Sequence, residues 1–226
     1  MSLHLTARRI KRGALIVAAC LALLTLSMLP GQHVSASSAT QHASRPKPSI
    51  VLVHGAWADG SSWSKVIQGL QHDGYTVYAP PNPLRGLTGD SAYIASFLKT
   101  ISGPIVLVGH SYGGAVITNA ALNNPNVKAL VYVDGFIPDK GENVLQLVGA
   151  RPGSCLGGDP THVFNFVPYP GAPAGDFDLY LKTAPNAPYP GFAACFANDL
   201  PASTAAVLAA TQRPLTLLGG GQASGA

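Results

Sequence analysis

The sequence predicts an α/β fold: a mostly parallel sheet with helices on both faces and an inserted cap. Three observations carry that expectation. Short, wholly apolar runs alternate with amphipathic helical patterns between Ser49 and Val133, and strands that read apolar throughout belong to sheets covered on both faces. A glycine-rich turn joins one of those runs directly to a helix. Beyond Phe136 the periodicity gives way to recurring proline and glycine, as in Pro152-Gly153, Gly157-Gly158 and Pro170-Gly171, which is the texture of an insertion rather than of a sheet.

Each element has its own signal. Residues 49–53 are an apolar strand, and residues 62–71 are helical with Trp63, Val66, Ile67 and Leu70 on one face. Residues 75–79 form the second strand. Asp90 is placed to cap a helix over 91–100 that buries Tyr93, Ile94, Phe97 and Leu98. Residues 105–108 are the third strand, a helix follows from Gly113 to about Asn123, and residues 129–133 are the fourth strand, ending at Asp134. Parallel strands joined this way need right-handed crossovers. The core therefore spans 49–135, and the cap spans 136–200. In the cap Phe164, Phe166, Tyr169, Phe177, Tyr180, Tyr189, Phe192 and Phe196 either line an apolar pocket or form the cap's own small core. Residues 201–226 are expected to hold a helix over 202–211, at most one short strand and a featureless tail.

Composition narrows the function classes. At 226 residues, 47% hydrophobic and 11% charged, the chain has a one-domain length and enough apolar residues for a sizeable core. The net charge of +4 is carried by Arg8, Arg9, Lys11 and Arg12; without them ten Lys/Arg face ten Asp/Glu. A near-neutral folded part points to no nucleic-acid partner. Residues 1–36 have the parts of a secretory signal peptide: those basic residues, an apolar run from Ala14 to Leu29, and Val34-Ser35-Ala36 as a cleavage site. Sixteen apolar residues fall short of the roughly 20 that span a bilayer, so no stable membrane span is expected after cleavage and the product is secreted or periplasmic. Arg8-Arg9 and Val17-Ala18-Ala19-Cys20 leave twin-arginine and lipoprotein routes open beside the general one. Residues 37–48 read as a flexible leader. Export leaves Cys155 and Cys195 as an even pair, either a disulfide closing a long loop, worth about 4 kcal/mol in chain entropy, or two buried thiols. They lack the neighbours of a zinc site.

The chemistry centres on Gly109-His110-Ser111-Tyr112-Gly113, a G-x-S-x-G. A serine on a sharp strand-to-helix turn needs small neighbours, because the backbone passes close to itself and the hydroxyl must stand clear. Glycine is common in this chain, so the pattern alone is weak; the strand before it and the helix after it give it weight. His54-Gly55-Ala56-Trp57 follows the first strand. An oxyanion formed in acyl transfer needs backbone N–H donors from two places, the residue after the nucleophile and a loop after a neighbouring strand. Tyr112 and Ala56 supply the expected pair.

H-G-A-W-A-D-G-S-S-W, V-G-H-S-Y-G-G and V-Y-V-D-G-F resemble the α/β-hydrolase superfamily, most closely its esterase-like branch that includes plant methylesterases and hydroxynitrile lyases. The resemblance covers about Ser49 to Arg213. It implies a sheet of eight strands or slightly fewer, a cap between the sixth and seventh, and a Ser-Asp-His triad. The strands above correspond to the third through sixth, Ser111 to the nucleophile, and His110 to a structural neighbour rather than the base.

That resemblance places the acid and the histidine after later strands, yet no histidine follows His162 and no acidic residue follows Asp199. The chain thus resembles a C-terminally truncated member. Asp134 is the stand-in for the acid, with a loop-capping role as the alternative, and His162 would have to swing in from the cap. The fourth strand would lie at an open sheet edge, a site for self-association. The expected function is hydrolysis of a small apolar ester through an acyl-enzyme. The alternatives are a non-catalytic remnant or ligand-binding module that keeps the pocket, and a lyase. No metal cluster, phosphate loop or dinucleotide fingerprint is present in the sequence, so no cofactor is implied.

Overall fold

The structure, a computed structural model, describes residues 46–226. The expected signal peptide, 1–36, and most of the expected leader, 37–48, lie outside the described residues. Four strands, β1 (Ser49–Val53), β2 (Val77–Tyr78), β3 (Ile105–His110) and β4 (Val127–Val133), form a parallel sheet in the order β2-β1-β3-β4. Helices α1 (Ser64–His72), α2 (Leu87–Leu98) and α3 (Tyr112–Ala120) make the crossovers, and a 3-10 turn (Gly60–Trp63) leads into α1.

Alternate residues of the central strands serve opposite faces. Val51, Val53, Ile105 and Leu107 pack with Ile94 and Leu98 of α2 and Val116 and Ile117 of α3. Ile50, Leu52 and Val108 pack instead with Trp63 and with Ile67 and Leu70 of α1. Both faces of β1 and β3 are thus apolar because both are covered. Among the described residues β4 pairs only with β3, and Val131 and Val133 on it are exposed.

After β4 the chain leaves this sheet. It forms α4 (Val144–Gly149), α5 (Pro160–Val163), β5 (Phe164–Val167), β6 (Asp178–Leu181), α6 (Phe192–Phe196), α7 (Ala202–Thr211), β7 (Leu215–Thr216) and α8 (Leu217–Gly221). Strands β5, β6 and β7 pair antiparallel in a second sheet. Cys155 and Cys195 are joined as a disulfide with Cα atoms 5.8 Å apart, tying the loop after α4 to α6. Among the described residues no helix is long and apolar enough to cross a membrane.

Three expectations need correction. The second strand is only Val77–Tyr78, not 75–79. Asp90 does not cap a helix at 91: α2 begins a turn earlier, with Gly86 at its N-cap and Asp90 buried in the first turn. The final residues are not featureless. Leu215 pairs with Leu179 and Thr216 with Asp178, Thr216 then caps α8, and Ser224 donates its amide to the Glu142 carbonyl.

Candidate active site

Ser111 sits between β3 and α3 with φ 51° and ψ −125°, a left-handed conformation that few non-glycine residues adopt. The turn closes so tightly that only glycine fits on either side. A Cβ on Gly109 would stand 2.5 Å from the Gly113 carbonyl oxygen, and one on Gly113 would stand 2.5 Å from that of Val53. The main chain pins the serine. Its N–H lies 3.2 Å from the Asp134 carbonyl, and its own carbonyl accepts from Gly114 N at 2.9 Å and Phe136 N at 3.1 Å. Because N–H and C=O point opposite ways across a trans peptide, holding the Ser111 carbonyl fixes where the Tyr112 N–H points.

Ala56, the other expected amide donor, lies on the loop after β1. His54 is buried there with both ring nitrogens engaged: Nδ1 lies 2.9 Å from the Gly55 carbonyl, and Nε2 lies 3.0 Å from Asn82 N. Asn82 answers by donating its side-chain amide to the His54 carbonyl at 3.0 Å. Nδ1 therefore carries the proton and Nε2 accepts, the neutral tautomer. Trp57, at φ 58°, donates N–H to the Arg213 carbonyl at 2.9 Å. Neither Ala56 N nor Tyr112 N, the latter at the first position of α3, takes part in a backbone hydrogen bond among the described residues.

Ala56, Trp57, Ser111 and Tyr112 share the wall of a cavity of about 420 Å³, within the ordinary size range of small-molecule sites. Most of the remaining lining is apolar, with Phe136, Val144, Leu145, Val148, Phe164, Leu179 and Leu215, while Arg151 and Ser154 add a charged and a polar side chain. Helix α4, which supplies much of this lining, is opened by a capping box between Asn143 and Gln146. That Asn-x-x-Gln pattern is the local sequence signal for the start of the helix. Of the eight cap aromatics between Phe164 and Phe196 only Phe164 lines the cavity, beside Phe136 from the loop after β4. Phe192 and Tyr189 are buried in the core, and Phe192 packs on Phe196 at 4.9 Å.

The remaining candidates lie apart. Asp134 is exposed at φ 41°, and its carboxylate makes no hydrogen bond among the described residues. It supports the turn through its main chain, and its charge favours the protonated form of His110. His110 faces away from the cavity, edge-on to Trp63 at 6.3 Å. His162 lies on α5, outside the cavity wall. None of the four described histidines, His54, His72, His110 and His162, hydrogen-bonds Ser111 Oγ.

Burial lowers the proton affinity of both His54 and His110 from the ordinary histidine value of 6.5. The unfolded chain takes up these protons near pH 6.5 while the folded chain still resists them, so stability falls as pH drops below that value. Unfolding free energies from urea titrations between pH 7.5 and 5.5 are expected to show that decline, shallower in His110→Gln; a flat profile contradicts the assignment.

A parallel sheet of this order, a serine elbow after its third strand in sequence and free amides beside it define an α/β-hydrolase. The chain belongs to the alpha/beta hydrolase family, whose sequence model matches residues 50–225. It is similar to a carbendazim hydrolyzing esterase from Nocardioides sp. (strain SG-4G), 33% identical over 112 residues that make up 44% of this chain and 46% of that protein. A pyrethroid hydrolase from Sphingobium wenxiniae is 33% identical over 106 residues, 41% of this chain and 37% of that one. The alignments thus span less than half the length of either curated relative. Among solved structures, tomato methylketone synthase I aligns with a TM-score of 0.58 at 24% identity, over 76% of this chain and 68% of that one. An extracellular α/β-hydrolase from a Paenibacillus species aligns with a TM-score of 0.54 at 21% identity, over 75% and 67%. Both structural likenesses show the fold.

Proposed function

We propose that this chain is an exported serine hydrolase of carboxylic esters with small apolar acyl or alcohol parts, working through an acyl-enzyme at Ser111. The observation that carries the reading is the convergence of Ser111 and two free amides, Ala56 N and Tyr112 N, on one apolar cavity of about 420 Å³. An ester carbonyl seated between the amides would be attacked by Ser111 Oγ. A C–O bond forms as the carbonyl electron pair moves onto oxygen, and the two N–H groups hold that charge. Collapse breaks the bond to the alcohol oxygen, and the alcohol leaves with the proton that the Ser111 hydroxyl gave up; water then adds to the acyl-serine, releasing the carboxylic acid and returning a proton to Ser111 Oγ. Likeness to proteins named as a carbendazim esterase and a pyrethroid hydrolase supports ester chemistry. The signal-like segment at residues 1–36 supports export.

A second reading is favoured by one observation: no described histidine is hydrogen-bonded to Ser111, and Asp134 points to none that is. A serine without a base is a poor nucleophile, so the same cavity would then bind an apolar ligand without turning it over. Incubating the folded full chain with p-nitrophenyl acetate, butyrate and octanoate separates the two. Release of p-nitrophenol above the buffer rate, strongest for the shorter chains, supports the hydrolase. Saturable binding of a p-nitrophenyl ester with no release supports the binding module.

A further inference from the structure

Beneath the cavity, Tyr112 and Asp90 form a polar pair with no solvent contact to speak of, each 1% exposed. The Tyr112 hydroxyl donates to Asp90 Oδ2 at 2.8 Å. Asp90 also accepts from two main-chain amides ahead of α2, Arg85 N at 3.1 Å and Gly86 N at 3.3 Å. A carboxylate buried this deeply costs several kcal/mol unless its oxygens are filled, and burial raises its proton affinity even so. Apolar side chains of the same size would tie α2 to α3 without that cost. The same helices already share a plainer link, Ser91 Oγ to the Val116 carbonyl at 3.3 Å.

The location of the pair gives it a use. The peptide between Ser111 and Tyr112, two residues of the cavity wall, carries the Tyr112 N–H, which has no backbone partner among the described residues. At one end its carbonyl is held by Gly114 N and Phe136 N; at the other, the Tyr112 Cα is held by a side chain that reaches down to Asp90. A residue at φ 51° and ψ −125° stores strain and persists only where its surroundings over-determine it. Fixing both ends keeps that peptide plane from relaxing by rotation.

We propose that Asp90 is a positioning residue for the oxyanion site: by holding the Tyr112 hydroxyl it aims the Tyr112 amide at the oxygen of the tetrahedral adduct on Ser111. The proposal rests on Ser111 being the nucleophile. Its effect is confined to the charged adduct and leaves the affinity of neutral ligands for the cavity alone.

The test compares four full-length chains, wild type, Asp90→Asn, Tyr112→Phe and Ser91→Ala. Each is assayed for the second-order rate of Ser111 modification by a fluorophosphonate and for binding of benzyl alcohol, a neutral apolar probe. Losing an oxyanion donor outright costs roughly a hundredfold to a thousandfold in rate, and a misaimed one is expected to cost about tenfold or more. Asp90→Asn and Tyr112→Phe are therefore expected to be modified about tenfold more slowly, with benzyl alcohol affinity unchanged in Asp90→Asn, whose side chain does not line the cavity. Ser91→Ala, which breaks the other link between the same helices, is expected to stay within about twofold of wild type. Wild-type rates in both Asp90→Asn and Tyr112→Phe overturn the proposal, and so does equal slowing of all three variants, which would mark a merely structural tie. If Asp90→Asn does not fold, Tyr112→Phe, which deletes a single hydroxyl, decides alone. A wild-type chain that is not modified at all overturns the nucleophile reading and this proposal with it, a result distinct from wild-type rates in the variants.

Discussion

Ser111→Ala is expected to bring ester turnover down to what the cavity and its amides supply unaided, a loss of about 10⁴- to 10⁶-fold wherever a base serves the serine. The same substitution is expected to leave stability within about 0.5 kcal/mol of wild type. Ser111 Oγ makes no hydrogen bond among the described residues, and alanine meets the same φ of 51° that serine already bears. Thermal unfolding beside p-nitrophenyl ester turnover checks both halves. A large fall in melting temperature would mean that the hydroxyl holds the turn together, contrary to the geometry.

Trp57→Ala is expected to produce the largest loss of stability. The indole stacks on Phe164 at 5.7 Å, meets Phe196 edge-on at 6.3 Å and donates Nε1–H to the Leu179 carbonyl at 2.8 Å. One side chain thus joins the loop after β1 to α6 and to β5 and β6 of the second sheet. Emptying such a site costs about 3–5 kcal/mol, and the orphaned carbonyl adds about 1–3 kcal/mol. At about 2–4 °C per kcal/mol for a chain of this size, a fall of about 10 °C or more in melting temperature follows. Trp57→Phe retains most of the stacking and loses the N–H, so it is expected to fall between. Hydrogen exchange locates the damage: amides of Phe164–Val167 and Asp178–Leu181 should open more than those of Ile105–His110. Equal opening throughout would show that the second sheet does not depend on this side chain.

Much of the parallel layer is legible in the sequence because its signals are local. β1 is the apolar run Ser49–Val53 and nothing else in its neighbourhood reads that way. The Ser111 turn is legible because glycine is forced there: Gly109 and Gly113 approach other backbone atoms too closely for any side chain. The second sheet is not legible, because β7 adds Leu215 and Thr216 to a strand some 35 residues earlier, and no periodicity encodes that pairing. The role of Asp90 is hidden from the sequence for a related reason. An aspartate just before an apolar helix has the local look of a cap, and only the folded chain brings the Tyr112 hydroxyl to it from 22 residues away. Helix α4 had a usable local signal in Asn143 and Gln146, obscured by the proline and glycine that follow it.

The central claim is that Ser111 is a nucleophile held at an apolar cavity by the elbow. Treating the folded full chain with a fluorophosphonate and mapping the adduct by peptide mass spectrometry tests it most directly. The account predicts one adduct, on the peptide that carries Ser111, absent from Ser111→Ala and from the urea-unfolded chain. An unlabelled Ser111 in folded protein, under conditions where a full-length relative is labelled, would contradict it.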